Sequence, residues 1–489
     1  MIIIAGAGPT GLMLACELRK AGVSVQLVDR ADKRGRASRA AAIHPRTMEL
    51  LDQRGVIDEF LAIGQPMLGA HFAGIGLDLS TLPTRYPYML GIMQTATEMI
   101  LERFAERLGV RTQWSTELVG VHQDDDAVTI TLRGPDGTIA RRADYVIGCD
   151  GASSVVRRLA GIPFDGSNGE LVTVLGDVEL DEPPAGWLMC DRRPAGTLTI
   201  LPFGGLTGRS WWRIMVTEYA AKPLREPVTF DRLRESTLRV ADTDFGMRDP
   251  HWLSWFADAE RQATRYRRGR VMLAGDAAHV HPPLGGQGMN LGIQDAVNLG
   301  WKLAAVLHGH ASQRLLDTYH EERHPVAARV LENTRAQTAL VGAGENVTAM
   351  RAQLRSLLDG EQANEQLAAA MTGMDICYPS TATHPLAGRR LPNAEIRTTA
   401  GIRHLFPLLG SMRPVLLDFD ARTQRSTAVP ETVEYISARS AVRQWRLPAL
   451  GWIPVPSALL IRPDGYVAWA STDESDSGLS QAVLQLFGR

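Results

Sequence analysis

The N-terminal stretch is the feature that most restricts how this chain folds. Residues 2–5 form an unbroken apolar run, residues 6–11 read GAGPTG, residues 12–21 have helical periodicity, and residues 24–28 form a second apolar run. A glycine-rich turn between a buried strand and a helix is the fingerprint of a dinucleotide-binding βαβ unit. The sequence therefore predicts a Rossmann-like unit at the start of the chain.

Each glycine of this turn has a separate task in such a unit. Gly6 makes the tight turn, Gly8 lets a pyrophosphate approach the backbone, and Gly11 lets the helix pack closely on the strand. Asp29 follows Gly11 by eighteen residues (29 − 11) and is placed to accept hydrogen bonds from ribose hydroxyls. The pattern indicates a bound dinucleotide but does not distinguish FAD from NAD.

The sequence contains one such fingerprint. The segment Gly74-Ile75-Gly76 lacks the third glycine and a following helix signal. Cys16 has no second cysteine four or five residues away, which disfavours the flavin disulfide reductases with a cysteine pair. We therefore expect one permanently held dinucleotide.

A second informative stretch covers residues 270–307. An apolar run at residues 271–274 predicts a strand that ends at Gly275-Asp276, and a loop rich in proline and glycine follows. Asn290 is predicted to cap a helix over residues 291–307. Unpaired N–H groups and the positive end of a helix dipole favour a planar, anionic group at such a place.

The remaining segments predict further sheets and helices. Residues 128–132 and 138–148 predict a hairpin that leads into DGASSVVR, and residues 40–51 and 96–108 have helical periodicity. Pro325 is expected to break or kink a long helical region. Residues 66–93 show little periodicity. The sequence further predicts an antiparallel sheet in residues 160–262, helices in 326–375, and strands with a closing helix beyond 390.

Composition excludes several other classes of protein. The 489 residues suggest about three domains, and mixed charges with a net charge of −2 give no basic stripe for nucleic acid. No apolar stretch is long enough to cross a membrane. The four cysteines form no CxxC and no metal spacing, which fits a reducing cytoplasm without a bound metal, and none follows Cys377.

Taken in order, the three motifs resemble the class A FAD-dependent aromatic hydroxylases, in particular the subgroup that acts on aromatic polyketides. The resemblance rests on GAGPTG, on DGASSVVR, and on the run from GD to PPLGGQGMN. It implies an α/β fold: a Rossmann-like FAD-binding domain, an antiparallel-sheet substrate domain and a C-terminal thioredoxin-like domain. The predicted boundaries are 1–160 with 262–385 for the first, 161–261 for the second and 390–489 for the third, with 66–93 contributing to the substrate site.

The resemblance also implies roles for individual residues. Asp276 would hold the ribityl chain of FAD, and Pro283 and Gly286 belong to a flavin-proximal loop that stabilises negative charge. No side chain is assigned as a general base, and His279 and His281 are interpreted as structural. The other predicted FAD-binding residues are Gly6, Gly8, Thr10, Gly11, Asp29, Arg30, Arg39, Gln94, Leu118, Asp150, Gly288, Met289 and Asn290, and the predicted substrate residues are Arg46, Phe72, Arg213, Phe256 and Pro283.

The reaction implied by the resemblance is a monooxygenation. NADPH or NADH would reduce FAD, O2 would add to give the flavin C4a-hydroperoxide, and one oxygen atom would pass to a phenolic, polycyclic substrate of polyketide or antibiotic type. Baeyer–Villiger oxygen insertion and a non-oxygenating flavin-binding redox module are the alternatives. A flavin halogenase is disfavoured, because Trp452-Ile453-Pro454 lacks the first tryptophan of WxWxIP. A cytoplasmic monomer or homodimer is expected.

Overall fold

A computed structural model describes residues 1–489 except 36, 187, 204–210, 220–225, 400, 421–428, 472–477 and 489. Its largest sheet has six strands, of which five are parallel and one edge strand is antiparallel. In spatial order the strands are Arg267–Arg268, Val271–Leu273, Tyr145–Gly148, Ile2–Ala5, Val25–Val28 and Thr112–Gln113.

The predicted βαβ unit is confirmed at the centre of this sheet. The side chains of Ile2–Ala5 are at most 5% exposed, as expected of a parallel strand covered on both faces. The crossover helix Pro9–Lys20, which we call the first helix, has Pro9 at its first position, where the missing N–H costs no helical hydrogen bond. Val25–Val28 then pairs in parallel with Ile2–Ala5.

A long helix, Gln287–Leu307, packs against the first helix and is called the central helix below. Gly300 allows the close approach, because a Cβ there would lie 2.5 Å from the Cβ of Glu17. In the described part of the chain, no helix combines the length and the apolar character needed to cross a membrane. The α-helices are Pro9–Lys20, Pro45–Gln53, Ile57–Leu61, Gln94–Arg107, Val155–Leu159, Phe230–Ala241, Gln287–Leu307, Arg314–Val341, Glu345–Leu358, Glu361–Thr372, Leu405–Leu408 and Leu479–Phe487.

The antiparallel sheet predicted for the middle of the chain is confirmed. The helix Phe230–Ala241 covers one face, and its Leu233 and Val240 are 0% and 2% exposed in a core shared with Val178 and Ile214. In spatial order its strands are Met189–Arg193, Gly196–Pro202, Trp212–Glu218, Val172–Leu180 and Met247–Ala257.

Smaller sheets complete the two large ones. One three-stranded sheet is the antiparallel meander Gly137–Ala143, Val128–Gly134 and Glu117–Gln123, and another joins Phe164–Ser167, Glu260–Ala263 and His279–Val280. A third contains Ala42–Ile43, Met89–Gly91 and Gln65–Met67, and Gly69–Phe72 pairs with Ile75–Asp78. The strands of the C-terminal part are Glu395–Thr398, Gly401–His404, Arg439–Ser440, Gln444–Leu447, Gly451–Pro454, Glu434–Ser437, Val415–Asp418, Ala458–Ile461 and Val467–Ala470.

Three local predictions were wrong in their details. The second strand predicted at 138–148 is two strands, because the exposed Gly137–Ala143 closes the hairpin and the buried Tyr145–Gly148 joins the parallel sheet. The helix predicted over 40–51 begins only at Pro45, since Ala42–Ile43 pairs as a strand with Met89–Gly91. Residues 66–93, which showed little periodicity, contain four of the short strands.

Two further predictions about helices differ from the structure in part. Pro325 lies inside the helix Arg314–Val341, so it does not break the helix, and the buried Arg323 and Val326 on either side pack against the core. Asn290 is not an N-cap: the central helix begins at Gln287, and Gly286 in the left-handed conformation is its N-cap residue.

The C-terminal part has a four-stranded mixed sheet, with one parallel and two antiparallel pairings, as expected of a thioredoxin-like fold. Its turn Pro463-Asp464 packs against the helices that cover the parallel sheet. Arg54 donates to the carbonyl of Pro463 at 3.0 Å, and the indole of Trp301 donates to Asp464 Oδ2 at 3.1 Å. The last two strands therefore contribute to the packing of the central helix, which carries Trp301.

Arg46, which was predicted to contact substrate, instead contacts this same turn. Its side chain is 0% exposed, pairs with Glu49 at 2.9 Å and donates to the carbonyl of Asp464 at 3.0 Å. Its guanidinium also lies over the ring of Tyr466. Arg46 therefore holds the C-terminal turn in place, and the substrate prediction for it is wrong.

Replacing Trp301 with phenylalanine tests the contribution of this turn. The indole N–H bond to a buried carboxylate is lost and the smaller ring packs less well, so we expect the free energy of unfolding to fall by at least about 1.5–3 kcal/mol. Trp452→Phe is the matched control, because Trp452 is 65% exposed. Urea denaturation of the two variants measures the difference, and equal stability would contradict a role for the turn.

Candidate active site

The three sequence motifs meet at one edge of the parallel sheet. Ala5, Gly148 and Leu273 end three adjacent strands, with Ala5 opposite Gly148 and Gly148 opposite Leu273. Each motif follows one of these strand ends. Open parallel sheets bind ligands in the crevice beyond the carboxyl ends of their strands, so this edge is the candidate site.

Close packing between the motifs requires glycine at several places. A Cβ at Gly6 would lie 2.2 Å from the carbonyl oxygen of Cys149, and one at Gly11 would lie 1.9 Å from the carbonyl oxygen of Gly6. A Cβ at Gly275 would lie 2.6 Å from Thr10 Oγ1, and one at Gly292 would lie 2.3 Å from the same atom. Thr10 thus lies between the first motif and the third.

Gly8 differs from these glycines. No atom lies within 4 Å of the position that its Cβ would take, and its φ of −76° is open to any residue. It is the N-cap residue of the first helix, whose first N–H groups and positive dipole end face this open space. The space beside Gly8 is therefore open to a phosphate group, as the sequence predicted.

Asp29 lies beside this space at the end of the second strand. Its Oδ2 accepts from the backbone N–H of Ala7 at 2.7 Å, and its Oδ1 accepts from that of Ala31 at 2.8 Å. Each carboxylate oxygen retains a second lone pair for a hydroxyl. Arg30 is exposed next to it, whereas the side chain of Leu118 is 4% exposed in the core, so only its backbone remains for a ligand contact.

Asp150 caps the helix Val155–Leu159. Its Oδ2 accepts from the N–H groups of Val155 and Val156 at 2.7 and 3.1 Å. Its Oδ1 is buried and has no hydrogen-bond partner among the described residues. Since an unsatisfied buried acceptor costs about 1–3 kcal/mol, this atom is suited to accept from a bound ligand. Arg157 joins the second motif to the third through the carbonyl of Ala277 at 2.8 Å.

Asp276 is exposed at the start of the third motif, where neighbouring residues still remove part of its hydration. This desolvation raises the pKa of its carboxyl, while the charges of His279 and Arg39 act in the opposite direction. Arg39 is exposed, and its backbone N–H, like that of Ala40, donates to Gln94 Oε1, at 3.3 and 3.2 Å. Gln94 therefore shapes the loop that presents Arg39 to Asp276.

The loop before the central helix combines two left-handed glycines. Gly285 and Gly286 have φ values of +73° and +66°, and Pro283 before them is exposed. Gly288 and Met289 are half-buried in the first helical turn, where N–H groups have no helical acceptor. Asn290 accepts from the N–H of His44 at 2.8 Å and donates to the carbonyls of Ala42 and Gly286 at 3.2 and 3.0 Å.

Two family models match the chain. One, described as an FAD binding domain, matches residues 1–334, and the other, described as aromatic-ring hydroxylase, C-terminal, matches residues 384–489. The chain belongs to the FAD-binding aromatic-ring hydroxylases. It is accordingly an FAD-dependent monooxygenase, as the order of the three motifs predicted.

The similarity to known proteins covers almost the whole chain of the hydroxylase. Rifampicin monooxygenase from Streptomyces venezuelae is 40% identical over 481 residues, covering 97% of this chain and 96% of the relative. The structure of anhydrotetracycline hydroxylase from Streptomyces rimosus has a TM-score of 0.90 and 38% identity, covering 100% of this chain and 99% of that one. Dialkyldecalin synthase from Streptomyces rugosporus is 38% identical over 492 residues, covering 100% and 98%.

The residues at the sheet edge fit FAD by their chemistry. The open space at Gly8 beside a helix N-terminus suits a pyrophosphate, and the half-satisfied Asp29 suits the adenosine ribose. The unpartnered Asp150 Oδ1 and the exposed carboxylate of Asp276 are suited to accept from the hydroxyls of a ribityl chain. First-turn N–H groups of the central helix suit the electron-rich edge of a flavin.

Arg213, a predicted substrate residue, is engaged elsewhere in the hydroxylase. It is 3% exposed and forms two hydrogen bonds with Asp177, at 2.7 and 2.9 Å. It also donates to the carbonyls of Ser38 and Arg39, at 2.5 and 3.2 Å. Arg213 therefore fastens the Arg39 loop to the antiparallel sheet, and its prediction as a direct substrate contact is corrected to a positioning role.

The other predicted substrate residues lie in different surroundings. Phe256 is half-buried on the strand Met247–Ala257, and Pro283 is exposed at the glycine loop. Phe72 is 6% exposed on the strand Gly69–Phe72, where it lines a cavity together with His44. Phe256 and Pro283 remain predicted substrate contacts, whereas Phe72 lines the cavity that also contains His44.

Sequence reasoning missed a buried charge network beneath the third motif. Asp295 accepts from Arg323 at 2.7 Å and from the N–H of Gly275 at 3.2 Å, and its Oδ2 lies 2.7 Å from His279 Nε2. Asp295, His279 and Arg323 are at most 1% exposed. Burial alone would raise the pKa of Asp295, but the charges of Arg323 and His279 outweigh it and lower that pKa.

The network fixes the turn that carries Asp276, since Asp295 bonds the preceding residue. Arg323 continues it to the hydroxyl of Tyr378 at 3.1 Å. The Nε2 of His279 is engaged with Asp295, and the Nδ1 of His281 lies 2.8 Å from the carbonyl of Pro282. Burial lowers the pKa of His281 to about 4, so it is neutral near pH 7.

Proposed function

We propose that the hydroxylase inserts one atom of O2 into a polycyclic, phenolic substrate of polyketide or antibiotic type, with NADPH or NADH as the electron donor. The observation that carries the proposal is the meeting of three motifs beside the open N-terminus of the central helix. The names of the relatives support the substrate class, since they include monooxygenases of rifampicin and anhydrotetracycline.

FAD supplies the activation of oxygen when it is bound. The chain's own residues hold the cofactor, border the cleft beside it and stabilise negative charge. Asp276 and Asp150 hold the cofactor's polar chain, and the Arg39 loop, fixed by Gln94 and Arg213, borders the same cleft. The glycine loop and the first-turn N–H groups stabilise negative charge on the flavin edge, a type of contribution worth ~2.7–4 kcal/mol per donor. No side chain is assigned as a base.

The substrate is proposed to lie between the glycine loop and the antiparallel sheet. Pro283 borders this space from the loop, and Phe256 from the sheet. The proposed division of the chain follows from this: residues 1–160 and 262–385 bind FAD, 161–261 carry the sheet over the substrate, and 390–489 support the central helix. A cytoplasmic monomer or homodimer is proposed as its working form.

Isotope labelling tests the function directly. The FAD-loaded protein is incubated with NADPH, a panel of polycyclic phenols and 18O2, and the products are analysed by mass spectrometry. Incorporation of a single labelled oxygen with retention of the ring system supports hydroxylation. Ring expansion to a labelled lactone would show Baeyer–Villiger insertion instead. Rearranged product without label would show a non-oxygenating role and overturn the proposal.

The glycine loop yields a prediction about product formation. Gly286→Val places a β-branched residue at φ +66°, a conformation that strains L residues by about 1–2 kcal/mol and moves the loop. FAD should remain bound through Gly8 and Asp29, so the protein stays yellow. Flavin reduction should slow, and hydroxylated product should fall by about 10²–10³-fold while hydrogen peroxide is released.

Stopped-flow reduction and a peroxide assay measure this change. Gly55→Val is a matched control, because Gly55 has a φ of +72° and no atom within 4 Å of its Cβ position. That variant carries similar backbone strain on the exposed end of another helix. Fully coupled product formation in Gly286→Val would show that the loop does not border the flavin.

A further inference from the structure

A separate cavity of about 270 Å³ lies behind the central helix. The helix advances by ~100° per residue, so Gly292 and Gly300, which face the first helix, share one side. Gln287, Leu291 and Gln294, which line the cavity, point the other way. The cavity is therefore on the side of the central helix opposite the first helix and the dinucleotide motif.

Three polar atoms in the lining have no hydrogen-bond partner among the described residues: His44 Nε2, Gln294 Oε1 and Asp375 Oδ1. The side chains of His44 and Gln294 are 2% and 7% exposed. Leaving such groups unsatisfied costs about 1–3 kcal/mol each. Because the three border one cavity, a single bound molecule with a hydroxyl group satisfies more than one of them.

The rest of the lining combines apolar and polar side chains. Phe72, Val326 and Met371 contribute hydrocarbon and aromatic surface. The uncharged polar side chains that join them are those of Gln287, Asn290, Asn333 and Thr372. Of the charged lining residues in the described ranges, Arg329 pairs with Asp375 at 2.5 Å, and Glu332 is exposed at the rim. Burial lowers the pKa of His44 to about 4, so its imidazole is neutral near pH 7. The surroundings therefore favour an uncharged ligand.

We propose that this cavity is a second ligand site, which binds an uncharged one-ring phenol or aromatic alcohol. Its volume is slightly below the roughly 300–1,000 Å³ of pockets for drug-sized ligands. A single aromatic ring with a hydroxyl group fits such a space. The hydroxyl donates to Gln294 Oε1 or Asp375 Oδ1 and pairs with the neutral ring nitrogen of His44, while the ring lies against Phe72.

The site is connected to the glycine loop through His44. The backbone N–H of His44 donates to Asn290 Oδ1 at 2.8 Å, and a Cβ at Gly286 would lie 3.7 Å from His44 Nε2. A ligand held by His44 therefore restrains the residue against which the loop packs. Binding should be visible as a change in the flavin absorbance spectrum.

Fluorine NMR of the FAD-loaded protein tests the proposal, with 4-fluorophenol as the probe and 4-fluorotoluene as its apolar analogue. Saturable binding of 4-fluorophenol is expected. Gln294→Leu removes one acceptor at nearly constant volume and should weaken it about three- to tenfold. Val326→Trp fills the cavity and should abolish it. Ala328→Trp adds the same bulk to the exposed face of the same helix and should leave binding unchanged.

Each other outcome overturns the proposal. Binding that survives both Gln294→Leu and Val326→Trp would place the phenol elsewhere, including the proposed substrate space. Equal affinity for 4-fluorotoluene would show that no hydroxyl is recognised, and absence of saturable binding would show no site. FAD content and thermal unfolding verify that each variant folds. If Val326→Trp does not fold, Ala336→Trp replaces it, because Ala336 is an exposed residue of the cavity lining. The measurement needs no turnover, so it is independent of the proposed reaction.

Discussion

Replacing Gly8 with leucine is expected to give a folded but colourless protein. Gly8 has ordinary backbone angles, and nothing in the described chain lies within 4 Å of its Cβ position, so the protein itself accommodates a side chain. That side chain would occupy the space we assign to the FAD pyrophosphate. Losing two or more hydrogen bonds to a charged group, at about 1.5–3 kcal/mol each, weakens binding roughly 10²–10⁴-fold.

Two further glycine variants make this prediction specific. Gly11→Ala should fail to fold, because its Cβ would lie 1.9 Å from the carbonyl oxygen of Gly6. Gly76→Leu should remain folded and yellow, since Gly76 is also open and is an exposed residue of the strand Ile75–Asp78, away from the first motif. Absorbance after gel filtration measures FAD, and circular dichroism measures folding. Stoichiometric FAD in Gly8→Leu would show that the pyrophosphate lies elsewhere.

The contrast between Gly8 and Gly11 shows why this part of the site was predictable. A turn between a buried strand and a helix leaves few backbone solutions, and each needs glycine at fixed spacing. The strands that end at Ala5 and Leu273 were likewise predicted, because parallel strands buried on both faces read as continuous apolar runs. That these strands end at the same edge of one sheet is a finding of the structure.

Side chains that act across the fold were not predictable in the same way. Arg46 and Arg213 looked like ligand contacts, but their partners are the distant Asp464 and Asp177, and no local pattern specifies such pairs. Asn290 has the residue type of a cap, yet its amide bonds Ala42 and His44 more than 240 residues away in sequence. Tertiary contacts decided these roles, and the Asp295 network is a further example.

Replacing Arg323 with methionine is expected to destabilise the hydroxylase by about 3–5 kcal/mol, because it leaves Asp295 buried without its main counter-charge. Both side chains are 0% exposed and their atoms are 2.7 Å apart. The turn at Gly275 depends on Asp295 as well, so FAD content should also fall. Arg107→Met is the control, since the Arg107–Glu59 pair is exposed and such pairs are worth about 1 kcal/mol or less.

The pH dependence and a double-mutant cycle separate charge from packing. The lowered pKa of Asp295 contributes stability above its unfolded value of about 3.9, and this contribution is lost as pH falls through the lower folded pKa. The gap between wild type and Arg323→Met should therefore be widest near neutral pH and narrow in acid. In a cycle with Asp295→Asn, the two costs should fall short of additivity by more than ~0.5 kcal/mol. If the stability losses of the two single variants added up, and the stability difference between wild type and Arg323→Met did not change with pH, Arg323 would act by packing alone. Its charge would then contribute nothing to the stability of the buried Asp295 carboxylate.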